Sequence, residues 1–215
     1  MNLTQRRVAL MQGRRINVVL DVGANTGQFA IFLRSLGYRG RIVSFEPLDE
    51  VFAALQRNSA GDANWSSYNL ALGDVETTAT INISANSQAS SFLPFTDRAL
   101  RIDPSLGYTG TQQAKVRRLD SVVPELLRPG DVAYLKIDAQ GYEIKILDGA
   151  SGVIDRFELI QVEASFVQVY ENEILIADMI KFMDSLGYRI VGTEPGWDDP
   201  KTGEMLQADL IFARK

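Results

Sequence analysis

Apolar residues fall in short runs separated by stretches of helical period. Val18, Val19, Leu20 and Val22 form one such run, as a strand buried on both faces requires, and after a glycine-containing turn Phe29, Phe32, Leu33 and Leu36 recur at helical spacing as far as Gly37. The rhythm then repeats. Residues 41–46 read as a strand, "LDEVFAALQRN" as a helix, "WSSYNLAL" and "DVAYLKID" as strands, "YEIKILDGA" as a short helix and "FELIQVEA" as a further strand. A later helix places Ile176, Met179, Ile180 and Met183 on one face and stops at Gly187; "YRIVGT" and "QADLIFAR" close the chain as two strands joined by a loop that carries Trp197. This alternation predicts an α/β fold with a largely parallel sheet covered on both faces. The pentapeptide "SLGYR" occurs at 35–39 and again at 185–189, each time between a helix and a strand. It reads as one helix-exit solution used twice, with glycine supplying the left-handed turn.

Composition narrows the chemistry. The 215 residues are 46% hydrophobic and 23% charged, enough for a single domain with a sizeable core. A net charge of −5 and a sequence pI of about 4.9 remove the general attraction to phosphate backbones, so small molecules or neutral polymers are the expected partners and nucleic acid is not. The chain has no cysteine and no histidine. Disulfides, thiolate metal sites and every Ser-His or Cys-His pair are therefore excluded, and a general base must be a carboxylate, lysine or tyrosine. No run is long and apolar enough to span a bilayer, and the first residues lack the apolar centre of a signal peptide; with the absence of cysteine this leads to the expectation of a cytoplasmic chain. Residues 1–15 read as a helical extension in which Arg6, Arg7, Arg14 and Arg15 form a solvated basic face.

The turn "DVGANTG" opens the functional question. Strand, glycine turn and helix start form a nucleotide-type cradle, with Gly23 and Gly27 in place but Asn25 where close approach to a pyrophosphate calls for glycine. Asp21 at the strand end would repel a phosphate and favour an ammonium. Glu46, about twenty residues beyond the turn, ends the next strand, where an acid accepts both hydroxyls of a ribose. A ribose and an amino acid without a pyrophosphate describe S-adenosylmethionine. The alternatives are a nicotinamide oxidoreductase, disfavoured by Asn25, and a non-catalytic cofactor-binding module.

The segments "LDVGANTGQFA", "FEP", "NLALGD", "RLDSVV", "LKIDAQGYEIKILDGA" and "IQVEAS" resemble, in this order, the FkbM family of S-adenosylmethionine-dependent methyltransferases, over nearly the whole chain from Val18 onward. Gln140 stands where many relatives carry glutamate. The resemblance implies a class I methyltransferase, a Rossmann-like three-layer sandwich on a seven-stranded, mainly parallel sheet with an antiparallel last strand. It also implies O-methylation of sugar or polyketide hydroxyls in natural products and glycolipids. Asp21, Gly23, Ala24, Asn25, Gly27, Glu46, Pro47 and Asp138 become cofactor positions, with Ala71 and Leu72 bordering the adenine.

Asp138 and Glu163 end neighbouring strands in that order, which brings two carboxylates to the ligand edge of the sheet; Lys136, two residues earlier, shares the face of Asp138 and needs one of them as partner. The pair reads either as an internal salt-bridge cluster or as catalytic, with Asp138 the first choice of base and Glu163 the second. A third reading has Asp138 and Glu163, helped by Gln140, holding Mg²⁺, and is ranked behind metal-free catalysis. Substrate recognition is assigned to an insertion over 84–113, through Ser90 and Ser91, and to Gln140, Tyr142 and Trp197. The insertion reads equally well as a mobile polar loop.

Overall fold

The computed structural model describes residues 3–215. Helix α1 (Leu3–Gly13) leads into β1 (Val18–Val22), α2 (Gln28–Ser35), β2 (Arg41–Phe45), α3 (Asp49–Ser59), β3 (Trp65–Tyr68), β4 (Ala71–Leu72) and β5 (Thr77–Ser84). There follow α4 (Asp97–Ile102), β6 (Tyr108–Arg117), α5 (Leu119–Leu126), β7 (Ala133–Ile137), α6 (Glu143–Asp148), β8 (Phe157–Ser165), α7 (Ile176–Ser185), β9 (Tyr188–Pro195) and β10 (Gln207–Arg214). Seven strands form one sheet in the order β3-β2-β1-β7-β8-β10-β9, and the last strand of the chain, β10, runs antiparallel to both neighbours.

The apolar runs explain the layers. Side chains alternate across β1, so Val18, Leu20 and Val22 join Leu119, Val122, Ile146, Leu147, Met179 and Met183 on the α5–α7 face. Val19 joins Met11, Ala30, Leu33 and Leu55 on the α1–α3 face. Both "SLGYR" copies end a helix alike: the amide of Gly37 donates to the Arg34 carbonyl and that of Gly187 to the Asp184 carbonyl, each at 3.0 Å. No helix among the described residues is long and apolar enough to cross a membrane.

Three expectations change. "WSSYNLAL" is not one strand: β3 lies in the main sheet, whereas β4 pairs with β6 in a second, three-stranded sheet of order β4-β6-β5. The break falls at Asn69, whose side-chain amide donates to the carbonyls of Glu46 and Pro47 at 3.3 and 3.2 Å. The 84–113 segment is not a mobile loop throughout, because Tyr108 onward is β6, the antiparallel partner of β5. The remainder has its own core, in which Ala89, Phe95, Ala99 and Leu106 pack with Val169 and Tyr170, and Phe95 stacks between Tyr108 and Tyr170 at centroid distances of 4.9 and 5.0 Å. Finally, the arginines of residues 6–15 do not make one solvated face, although Arg15 is exposed. Arg7 is only 4% exposed and reaches through to the sheet, and Arg14 pairs with Glu158.

Candidate active site

A cleft of about 470 Å³ opens along the carboxyl ends of β1, β2, β7 and β8. That edge is where open α/β sheets bind ligands. Gly23 makes the first turn possible: its φ is +71°, and a Cβ there would lie 1.8 Å from the Asp138 carbonyl oxygen. At Gly27 a Cβ would strike the Trp65 ring at 2.6 Å. Between them Asn25 adopts φ +47°, a left-handed conformation that asparagine tolerates by local hydrogen bonding, here from the Thr26 amide to Asn25 Oδ1 at 2.9 Å.

Glu46, 5% exposed, is fixed by that turn: the Asn25 amide donates to Oε2 and the Leu48 amide to Oε1, both at 2.9 Å. Each carboxylate oxygen keeps a further lone pair for two adjacent hydroxyls. Burial pushes the Glu46 carboxyl up to about 7, the two main-chain N–H groups pulling the other way. Ala71, Leu72, Phe92, Tyr142 and Ile146 give this end of the cleft an apolar wall, with Phe92 and Tyr142 packed at 4.9 Å.

The other end is built from polar positions inside otherwise apolar strands. Parallel pairing sets Ser44, Asp21, Lys136 and Gln161 in one row across β2, β1, β7 and β8, and antiparallel pairing sets Glu163 beside Asp209. Lys136 Nζ lies 3.2 Å from Asp138 Oδ2 and 3.4 Å from Asp21 Oδ1. Burial alone would pull this ammonium down, but Asp138, Asp21 and Asp209 together hold it above its ordinary value, so Lys136 stays charged and cannot act as a base. Asp21 is wholly buried, and Ser44, which donates to it at 3.4 Å, accepts from the Trp65 indole at 3.0 Å.

Asp138 and Glu163 do converge, and Gln140 lies between them. Its amide nitrogen donates to Asp138 Oδ1 at 2.7 Å and to Glu163 Oε2 at 2.8 Å, while its oxygen accepts from the Tyr170 hydroxyl at 2.7 Å. Gln207 also donates to Glu163 Oε2, at 3.1 Å. Among the described residues no three His, Cys, Asp or Glu side chains gather as a metal would need, and an N–H donor occupies the space between the two acids.

The remaining expected residues divide. Ser90 and Ser91 line the cleft and bond within the protein: Ser90 accepts from the Ser84 amide at 3.1 Å, a bond that does not use its own proton, whereas Ser91 both donates to the Gln140 carbonyl at 2.6 Å and accepts from the Leu93 amide at 3.0 Å. Tyr142 stands at the Leu72 end, against Gly73, away from the acid pair. Trp197 packs on the core of the insertion and borders the cleft, and Pro47 lines it beside Glu46. Sequence reasoning missed Arg7, Gln161, Tyr170, Gln207 and Asp209. Arg7 donates to Gln161 at 2.7 Å and to Tyr134 at 3.1 Å, pairs with Glu194, and lies 4.8 Å over the Phe29 ring. Gln161 and Asp209 had a signal, since each is polar within an apolar strand run, as Lys136 is; Arg7 had none to set it apart from its neighbours.

A profile described as the methyltransferase FkbM domain matches residues 21–190. The chain belongs to the FkbM methyltransferase family. Among similar proteins, Methyltransferase 1 of Beauveria bassiana is 22% identical over 193 residues, covering 85% of this chain and 76% of that protein. The antimetabolite synthetase AmbE of Pseudomonas aeruginosa is 28% identical over 184 residues; the match takes in 72% of this chain but only 8% of the much longer synthetase. In fold, this FkbM chain is similar to Burkholderia thailandensis 1,6-didemethyltoxoflavin-N1-methyltransferase, solved with bound 1,6-didemethyltoxoflavin and S-adenosylhomocysteine, at a TM-score of 0.51 and 8% identity over 98% of this chain and 77% of that one.

Proposed function

We propose that the protein transfers a methyl group from S-adenosylmethionine to a hydroxyl oxygen of a small molecule, a sugar of a glycolipid or another natural product. The observation that carries this reading is the buried Glu46 carboxylate, held by two main-chain amides at the mouth of the β1–α2 turn and sharing one cleft with the Asp138–Gln140–Glu163 array. The donor set fits the cofactor. Glu46 accepts from two ribose hydroxyls, the Ala71, Leu72 and Ile146 wall takes a purine, and the acid-rich end takes the cationic sulfur and ammonium.

When bound, the cofactor supplies an electrophilic methyl group on a positively charged sulfur. The protein has to hold the acceptor in line with it and remove one proton. Gln161 is committed at both ends, to Arg7 and Tyr134 through its oxygen and to Asp209 through its nitrogen. Hydroxyl recognition at the acceptor end is therefore left to acceptor atoms of Gln207 and Asp209, with Trp197 and Phe29 giving aromatic faces. Of the charged residues lining the cleft, Arg7 and Lys136 face Glu46, Asp103, Asp138, Glu163 and Asp209, so a phosphorylated acceptor is repelled and a neutral or cationic one is favoured. The Gln140 amide between the acids supports the metal-free version of the chemistry.

Calorimetric titration with S-adenosylmethionine, S-adenosylhomocysteine and NAD⁺ tests the cofactor, and label transfer from methyl-labelled S-adenosylmethionine to a panel of sugars, glycolipids and polyketide alcohols tests the reaction. Binding of the first two and label on oxygen are expected. Binding of NAD⁺ alone returns the oxidoreductase reading, and cofactor binding without transfer returns the non-catalytic one.

A further inference from the structure

Glu163 differs from Asp138 in what its oxygens are given. Both Asp138 oxygens are engaged, Oδ1 by the Gln140 amide at 2.7 Å and Oδ2 by the Lys136 ammonium at 3.2 Å. On Glu163 the two amide donors, Gln140 and Gln207, meet at Oε2, and no donor among the described residues reaches Oε1, although Glu163 borders the cleft. The two acids fix this arrangement, because only the nitrogen end of the Gln140 amide can donate to both, and the amide oxygen then faces the Tyr170 hydroxyl, whose single proton is shared between Gln140 Oε1 at 2.7 Å and the Ala89 carbonyl at 3.0 Å.

The charges around Glu163 are unbalanced. Asp138 faces it from the end of β7, Glu143 from α6 and Asp209 from β10; Lys136 pulls the other way, and that ammonium is already shared by Asp138 and Asp21. Arg7, on the facing helix, is committed to Glu194. Burial first, and then these three acids, raise the proton affinity of Glu163 well above that of an ordinary carboxylate.

We propose that Glu163, rather than Asp138, takes the acceptor's proton, and that it gives up its own proton when a cationic cofactor enters the cleft. The proposal rests on the S-adenosylmethionine reading. The added positive charge favours the ionised carboxylate of Glu163 and leaves Oε1 as a bare acceptor. In the transfer the methyl–sulfur bond breaks with its electron pair going to sulfur, the oxygen–methyl bond forms, and the hydroxyl proton passes to Glu163 Oε1. The product thioether is neutral, so the protonated carboxyl is again the stable form. Asp138, tied to Lys136, and Gln140, oriented by the two carboxylates it donates to, are positioning residues.

Proton linkage reads this directly. S-adenosylmethionine and S-adenosylhomocysteine are titrated calorimetrically into the full chain in paired buffers of different ionisation heat, across neutral to mildly alkaline pH. The two ligands share their ribose and amino acid, so any proton lost by Glu46 cancels in the difference. S-adenosylmethionine is expected to release up to about one proton more than S-adenosylhomocysteine. Glu163→Gln is expected to abolish the difference while still binding both ligands. Asp209→Asn, which removes one acid facing Glu163, is expected to move the midpoint of the difference to lower pH. Equal release by the two ligands at every pH, an undiminished difference in Glu163→Gln, or an unmoved midpoint in Asp209→Asn overturns the proposal. Failure of S-adenosylmethionine to bind instead overturns the cofactor reading on which it rests.

Discussion

Replacing Glu46 by glutamine separates the ribose anchor from everything else in the cleft. The change keeps the side-chain shape but removes the charge and one of two acceptor oxygens. A hydrogen bond to a charged group contributes about 1.5–3 kcal/mol, so we expect a loss of roughly 2 kcal/mol, or about 30-fold in affinity, where the wild-type carboxylate is fully ionised. The pH dependence follows from burial, which raises the Glu46 carboxyl to about 7. Ligand hydroxyls donate to the ionised form, so wild-type affinity rises with pH through that value, changes by up to tenfold per unit below it and levels off above it. The gap to Glu46→Gln should therefore be about 30-fold near pH 8 and shrink to roughly 3-fold near pH 6. The ligand for this assay is S-adenosylhomocysteine, whose neutral sulfur leaves Glu163 out of the measurement. The variant also sets an amide N–H against the Asn25 or Leu48 amide, both now bonded at 2.9 Å, so its melting temperature should fall as well. Equal affinities near pH 8, or a gap that does not narrow near pH 6, would refute the assignment.

Arg7→Met strands the Glu194 carboxylate and should cost about 3 kcal/mol, lowering the melting temperature by roughly 6–12 °C and raising hydrogen exchange in α1; unchanged exchange would mean that the helix is held by other contacts. Glu46 and Glu143, raised by burial to about 7 and about 8, bind protons in the folded state at pH values where the unfolded chain has released them. Stability should accordingly fall as pH rises from about 4.5 to 8, and Glu143→Gln, which keeps an acceptor for the Ala139 and Gly141 amides, should flatten the upper part of that curve in thermal melts. Glu163→Gln should lower kcat on the native acceptor by about 10²–10⁴-fold and Asp138→Asn by less; the reverse order would return the base to Asp138. Replacing residues 85–107 by a short link between β5 and β6 should abolish acceptor turnover. It should also weaken cofactor binding several-fold, because the Asn25–Ser87 and Ser91–Gln140 bonds of 3.1 and 2.6 Å are lost; full cofactor affinity would show that the insertion does not brace the cradle.

What the sequence disclosed was what leaves a periodic trace. Strand runs, helix stripes, the Asp21–Gly23–Gly27 turn and the strand ends are local, and which strands are neighbours was implied by the family resemblance. The convergence of Asp138, Gln140 and Glu163 was legible for that reason. Contacts across the fold were not. Arg7 sits in a weakly patterned helix and gains its role from Tyr134, Gln161 and Glu194, each more than 120 positions away. Tyr170 donates to the Gln140 amide oxygen, and nothing in either segment marks that hydroxyl. Lys136 was expected to pair with Asp138 or Glu163; it lies against Asp138 and Asp21, and the proposal that moves the base from Asp138 to Glu163 starts from that pairing. The serines of the insertion looked free because polar loops usually face solvent; here the segment carries its own apolar core, and Ser90 and Ser91 bond inward.

Hydroxyl methylation itself is tested most directly by incubating the purified protein with methyl-labelled S-adenosylmethionine and an extract of glycolipids and secondary metabolites, then characterising every labelled product by mass and by the bond that carries the label. The account predicts a neutral or cationic acceptor heavier by one methyl group, about 14 Da, with the label on oxygen and transfer undiminished by chelator. Label on nitrogen or carbon, transfer that stops on chelation and returns with Mg²⁺, or cofactor binding with no labelled product would contradict it.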